Sequence, residues 1–145
     1  MYAFLFYRLY YSYSIKGIRY KSNMAKIAII EDDAAISQMY RIKFETEDYE
    51  VDTAENGKLG LELIEKMKPD IILLDLMMPE MNGDEMLTKL RQTPFGKNVK
   101  VIILTNMGES EAPEILKSLQ VSAFIVKANM TPRQVADLVK KHLSA

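Results

Sequence analysis

From Met24 onward the chain alternates between short solid apolar runs and longer segments with apolar residues at helical spacing. Lys26 to Ile30 is the first run, and it ends in Glu31-Asp32-Asp33. Residues 34–47 then place Ile36, Met39, Tyr40 and Phe44 on one helical face. Asp32 or Asp33 can cap that helix and favour its positive end. Tyr49 to Thr53 is a second short strand, and Asn56-Gly57 is a turn and cap signal. Leu63, Ile64 and Met67 mark the buried side of a second helix.

The third run organises the rest. Ile71 to Leu74 are four large aliphatics in a row, with Pro69 before them and Pro79 and Gly83 after. A run without period-2 alternation reads as a strand buried on both faces, as in a parallel sheet. Asn82 caps a third helix carrying Met86, Leu87 and Leu90, which Pro94 and Gly96 end. Val99 to Leu104 is a fourth strand, closing at Thr105-Asn106. A loop with Gly108 leads to a fourth helix with Ile115, Leu116 and Leu119 inward. Val121 to Val126 is a fifth strand, closing at Lys127. Thr131-Pro132-Arg133-Gln134 is a capping-box pattern with proline in the first turn. It opens a fifth helix with Val135, Leu138, Val139 and His142 or Leu143 inward.

Five strands alternating with five helices predict an α/β fold. Right-handed βαβ crossovers would make a doubly wound (βα)5 parallel sheet covered on both faces. No repeat or low-complexity linker interrupts it. The pattern predicts one domain over 24–145, which we expect to stand alone.

Composition narrows the classes. The 145 residues are 48% apolar, enough for one globular core. Net charge is −1, but residues 1–23 carry Arg8, Lys16, Arg19 and Lys21 and no acid. The remainder is therefore acidic, which argues against direct nucleic-acid binding. There is no cysteine and a single histidine, His142. Thiol chemistry is excluded, and a Ser-His-Asp triad or multi-histidine metal site is disfavoured. No run is long enough for membrane insertion. Residues 1–23 hold six of the eight tyrosines and lack a signal-peptide plan. We expect them to lie outside the fold, with translation beginning at Met24; the rival reading is an aromatic, basic membrane-surface anchor.

The ends of the runs carry the candidate chemistry. Strands of a parallel sheet end on one side, where ligands bind. There stand Glu31 and Asp32 after strand 1, Asp75 after strand 3, Thr105 after strand 4 and Lys127 after strand 5. Singly, each has a plain explanation: a helix cap, an acidic turn, a β-branched strand residue, a solvated lysine. Met77, Met78 and Met81 read as packing rather than as soft metal ligands. Together the strand ends are mutually consistent. Three convergent carboxylates need a cation to stay ionised, and an all-oxygen set suits a hard ion such as Mg2+. Asp75 could attack a phosphoryl group, Lys127 neutralise the transferring charge, and the Thr105 hydroxyl donate a hydrogen bond.

The segments Ile-Ile-Glu31-Asp32-Asp33, Asp70 through Asp75-Leu-Met-Met-Pro79 to Gly83, Ile-Leu-Thr105 and Phe124-Ile-Val-Lys127 resemble the receiver domain of two-component response regulators. The resemblance spans Lys26 to about Leu143. It implies a flavodoxin-like strand order 2-1-3-4-5. It further implies Asp75 as phosphoacceptor and Glu31, Asp32, Asp75 and the Met77 carbonyl as the Mg2+ site. Lys127 would pair with the phosphoryl group. Thr105 would be the switch hydroxyl, and Phe124 the aromatic that follows it inward. Two positions depart from the family pattern. Ala128 stands where proline usually follows the lysine, so that either the bond is trans or the site stores strain. Asn106 replaces a small residue after the threonine.

These features imply a cytoplasmic module phosphorylated on Asp75 by a histidine kinase or phosphorelay protein. Its output would be binding to a downstream protein through the surface of helix 4, strand 5 and helix 5. A rival reading is a receiver-like interaction module that is never phosphorylated. A third is a Mg2+-dependent phosphohydrolase. That class expects an acid two positions after the nucleophile, and Met77 stands there, which disfavours turnover of outside substrates.

Overall fold

The computed structural model describes residues 24–145, and the expectation about residues 1–23 lies outside them. Five strands form one parallel sheet in the order β2-β1-β3-β4-β5. They are β1 (Lys26–Ile30), β2 (Glu50–Ala54), β3 (Ile71–Leu74), β4 (Lys100–Thr105) and β5 (Ala123–Val126). Helices α1 (Ala34–Glu45), α2 (Gly57–Met67), α3 (Gly83–Arg91) and α4 (Pro132–Leu143) complete the frame.

The solid apolar runs follow from burial on both faces. Successive side chains on a strand point to opposite sides. Ala28, Ile30, Ile72, Leu74, Val101 and Ile103 pack against Ile64 of α2 and Met86, Leu87 and Leu90 of α3. Their neighbours Ile27, Ile29, Ile71, Leu73, Ile102 and Leu104 pack against Tyr40 and Phe44 of α1 and Val135 and Val139 of α4. The central strands β1 and β3 thus serve two cores and tolerate no polar alternation.

The helix starts are set by side-chain caps. The Asp33 carboxylate accepts from the Ala35 and Ile36 amides, at 2.9 and 3.0 Å, and so caps α1. Asn56 caps α2 through the Leu59 amide and Asn82 caps α3 through the Glu85 amide. Thr131 and Gln134 form the reciprocal capping box of α4, with Pro132 in its first turn. One expected inward residue is turned out: Met39 on α1 is 41% exposed, and Ser37 takes the buried position instead.

The fourth crossover departs from the expectation. No α-helix forms between β4 and β5; the chain makes two short 3-10 turns, Glu109–Glu111 and Glu114–Ser118. Pro113 is the cause. Ala112 before it is extended at φ −66°, ψ 146°, as a residue preceding proline prefers. What remains before β5 is too short to hold a helix by itself. At three residues per turn, Leu116 and Leu119 align and are buried, while Ile115 falls off that line and is 45% exposed. The helix that the pattern placed fifth is therefore α4.

Candidate functional site: an acidic crevice at the strand ends

Every candidate strand-end residue lies along the carboxyl edge of the sheet. Glu31 follows β1, Asp75 follows β3, Thr105 ends β4 and Lys127 follows β5. Glu31, Asp32 and Asp75 each offer a carboxylate oxygen, and these oxygens lie within 4.8 Å of one another. Glu31 and Asp75 are buried, at 5% and 6% exposure, whereas Asp32 is exposed. The Lys127 ammonium donates to Asp75 Oδ2 at 2.9 Å and to Glu31 Oε2. All described peptide bonds are trans, that before Ala128 included, and Lys127 reaches Asp75 nonetheless.

The backbone fixes both buried acids. The Asp33 amide donates to Glu31 Oε1 at 3.1 Å. The Met77 amide donates to Asp75 Oδ1 at 3.1 Å. Glu31 thus has both oxygens engaged, while Asp32 has no hydrogen-bond partner among the described residues. Met77 itself projects into solvent at 59% exposure. Thr105 is fully buried, and its hydroxyl accepts from the Met107 amide at 3.4 Å. Phe124 is half-buried beside the α2–α3 core. Its register partner is Ile103, two residues before Thr105, so Phe124 and Thr105 share one face of the sheet.

Gly83 does more than end the β3 loop. Its amide donates to the Leu76 carbonyl at 3.0 Å, and a Cβ there would stand 2.2 Å from the Asp75 carbonyl oxygen. The start of α3 therefore rests directly on the Asp75 backbone. In the sequence Gly83 is a turn signal after the third strand. Its signal was a glycine at the first position of a capped helix, eight residues beyond a strand-end acid.

Electrostatics follow from three acids facing one ammonium. Burial pushes the Glu31 carboxyl above its ordinary range, against the opposing pull of Lys127 and the Asp33 amide. Burial works to lower the Lys127 ammonium, but hydrogen bonds to Glu31 and Asp75 outweigh it and hold the group charged to higher pH. The crevice keeps an uncompensated negative charge. Its donor set is all oxygen, with Asp32 unpartnered, which fits a hard divalent cation.

The profile of the response regulator receiver domain matches residues 27–140. The chain belongs to that family. It is 35% identical over 115 residues to the phosphate regulon transcriptional regulatory protein PhoB of Rhizobium meliloti, covering 78% of this chain and 50% of that protein. It is 32% identical over 118 residues to sporulation initiation phosphotransferase F of Bacillus subtilis, covering 81% and 93%. This receiver therefore spans half the length of the first relative and nearly all of the second. Among solved structures, a CheY-like receiver from Methanospirillum hungatei JF-1 matches with a TM-score of 0.77 at 29% identity, covering 84% of this chain and 95% of that one. Chemotaxis response regulator CheY4 of Vibrio cholerae matches at 0.75 and 27%, covering 82% and 98%. Receivers are signalling modules that bind Mg2+ at an acidic pocket and interact with histidine kinases or phosphotransfer proteins. No helix among the described residues is long and apolar enough to cross a membrane.

Proposed function

We propose that this receiver accepts a phosphoryl group on Asp75 from a histidine kinase or phosphorelay protein and signals through a change in protein binding. The observation that carries the reading is one arrangement. A buried Asp75 carboxylate converges with Glu31 and Asp32 within 4.8 Å and is paired to Lys127 at 2.9 Å. An Asp75 oxygen attacks phosphorus, the phosphorus–nitrogen bond of the donor phosphohistidine breaks, and the imidazole leaves with the electron pair. The product is an acyl phosphate on Asp75. Glu31, Asp32, Asp75 and the Met77 carbonyl would hold Mg2+, which would neutralise charge at the phosphoryl oxygens. Lys127 exchanges its contact with Asp75 for the incoming phosphoryl group. Thr105 turns its hydroxyl toward that group, and Phe124 follows into the space on the same face. The binding surface is then the fourth crossover, β5 and α4.

Acting alone, in the cytoplasm, without direct nucleic-acid contact and without turnover of outside substrates, completes the reading. Domain 24–145 is its functional unit, with residues 1–23 as an extension.

Acyl phosphates are reduced by borohydride, which turns the labelled aspartate into homoserine. After incubation with a small acyl phosphate and Mg2+, peptide mapping should find homoserine at position 75. Label at another acid would contradict the assignment to Asp75; no label in folded protein would favour the module that is never phosphorylated.

A further inference from the structure

Arg91, the last residue of α3, is a half-buried cation that the site chemistry does not use. Its guanidinium donates to backbone carbonyls on both sides of β4. Nε–H reaches the Leu119 carbonyl at 2.9 Å, and Nη2 the Gln120 carbonyl at 3.1 Å. Nη1 reaches the carbonyls of Gly96 and Val99 at 2.9 and 2.7 Å. Among the described residues no carboxylate pairs with it, and burial lowers its ordinary pKa. A half-buried cation satisfied by fixed carbonyls holds those carbonyls in register, because freeing any of them gives up a charge-assisted bond.

The two segments it joins both need holding. The turn after α3 closes tightly at Gly96, where a Cβ would lie 2.4 Å from the Leu90 carbonyl oxygen. Gln120 is a non-glycine residue at φ 54°, a left-handed conformation that costs about 1 kcal/mol. Gln120 is also the junction between the fourth crossover and β5. The crossover upstream of it has only 3-10 turns, and a cleft of about 440 Å³ lies between it and β5, lined by Pro113, Leu116, Val121 and Phe124 among others.

We propose that Arg91 is the fixed pivot of the fourth crossover. It pins Leu119 and Gln120 to the α3–β4 turn, so that residues 106–118 can rearrange about a stationary end while β5 keeps its place. The pin itself is a property of the resting fold; its use in signalling rests on the phosphorylation reading above. Without it, a displacement beginning at Thr105 would spread into β5 and move Lys127 out of the crevice, where it must meet the phosphoryl group on Asp75.

Hydrogen exchange of the full chain tests this, with intact mass recorded on the same samples. The reporters are the Leu119 amide, bonded to Leu116 O at 3.1 Å, and the Ser122 amide, bonded to Val101 O at 2.8 Å. In Arg91→Gln both should exchange about tenfold faster or more, with β1 and β3 amides unchanged. Arg91→Lys keeps the charge but loses the fork; it should give a smaller acceleration at the same amides, and it decides the matter if Arg91→Gln does not fold. In the native chain carrying an Asp75 adduct, peptides from 106–118 should change while the Ser122 amide, whose acceptor Val101 lies in β4, holds. Native rates at Leu119 and Ser122 in both variants would overturn the pin. So would opening of the Ser122 amide together with 106–118 in the phosphorylated chain. Absence of any adduct in the mass spectrum would instead count against the phosphorylation reading, and the variant comparison would still decide the pin.

Discussion

The crevice at the ends of β1 and β3 and the cleft beside β5 belong to one sheet but are built by opposite means. At the crevice, strands buried on both faces deliver Glu31 and Asp75, backbone amides fix their oxygens, and α3 presses on Asp75 through Gly83. At the cleft, an edge strand of four residues carries a half-buried Phe124, and the covering segment has 3-10 turns where a helix was expected. The first region suits chemistry, which needs groups held before the reaction. The second suits response, which needs a segment with two arrangements of similar free energy. Lys127 connects them: it leaves β5 and ends on Asp75.

That link is where the largest effect is expected. Lys127→Ala removes the cation from two buried acids, and should cost about 4 kcal/mol of metal-free stability. Urea denaturation with and without Mg2+ would show the loss shrinking when the ion is present. A loss that Mg2+ does not reduce would mean that the crevice does not hold the ion.

Two glycines set the regions side by side. Gly83→Ala drives a methyl group into the Asp75 carbonyl, and should cost about 3 kcal/mol while slowing adduct formation. Gly108→Ala meets nothing closer than the Ser110 hydroxyl at 4.0 Å, and its φ of −66° suits alanine. It should stabilise by about 0.5 kcal/mol through the unfolded chain. Equal costs at the two positions would dissolve the distinction between a rigid and a yielding region.

Much of this was legible in the chain. The solid run Ile71 to Leu74, with acids or a lysine at the run ends, gave the parallel sheet and the polarity of its site. Asn82, Asp33 and the Thr131–Gln134 box were readable as caps because capping depends on local spacing. The fourth crossover was not. Its apolar spacing fits a helix, and the proline-imposed extension at Ala112 outweighed that pattern. Arg91 was equally hidden, since its carbonyl partners at Leu119 and Gln120 lie far along the chain.

The smallest effect concerns pH. Because burial raises the Glu31 carboxyl above its ordinary value, the folded chain binds that proton more tightly than the unfolded one. The stabilising contribution is full below the unfolded value of 4.5 and is lost as pH rises through the folded value. Metal-free Glu31→Gln should therefore gain stability relative to the native chain between acid and neutral pH. Parallel urea midpoints for the two proteins across that range would contradict the cause assigned.

The most direct test of the account is intact-mass spectrometry after incubation with a small acyl phosphate, with Mg2+ or with chelator, beside Asp75→Ala. The account expects one phosphoryl adduct on the native chain that needs the ion and is missing from the variant. An adduct of equal yield on folded Asp75→Ala, or none on the folded native chain with Mg2+, would contradict it.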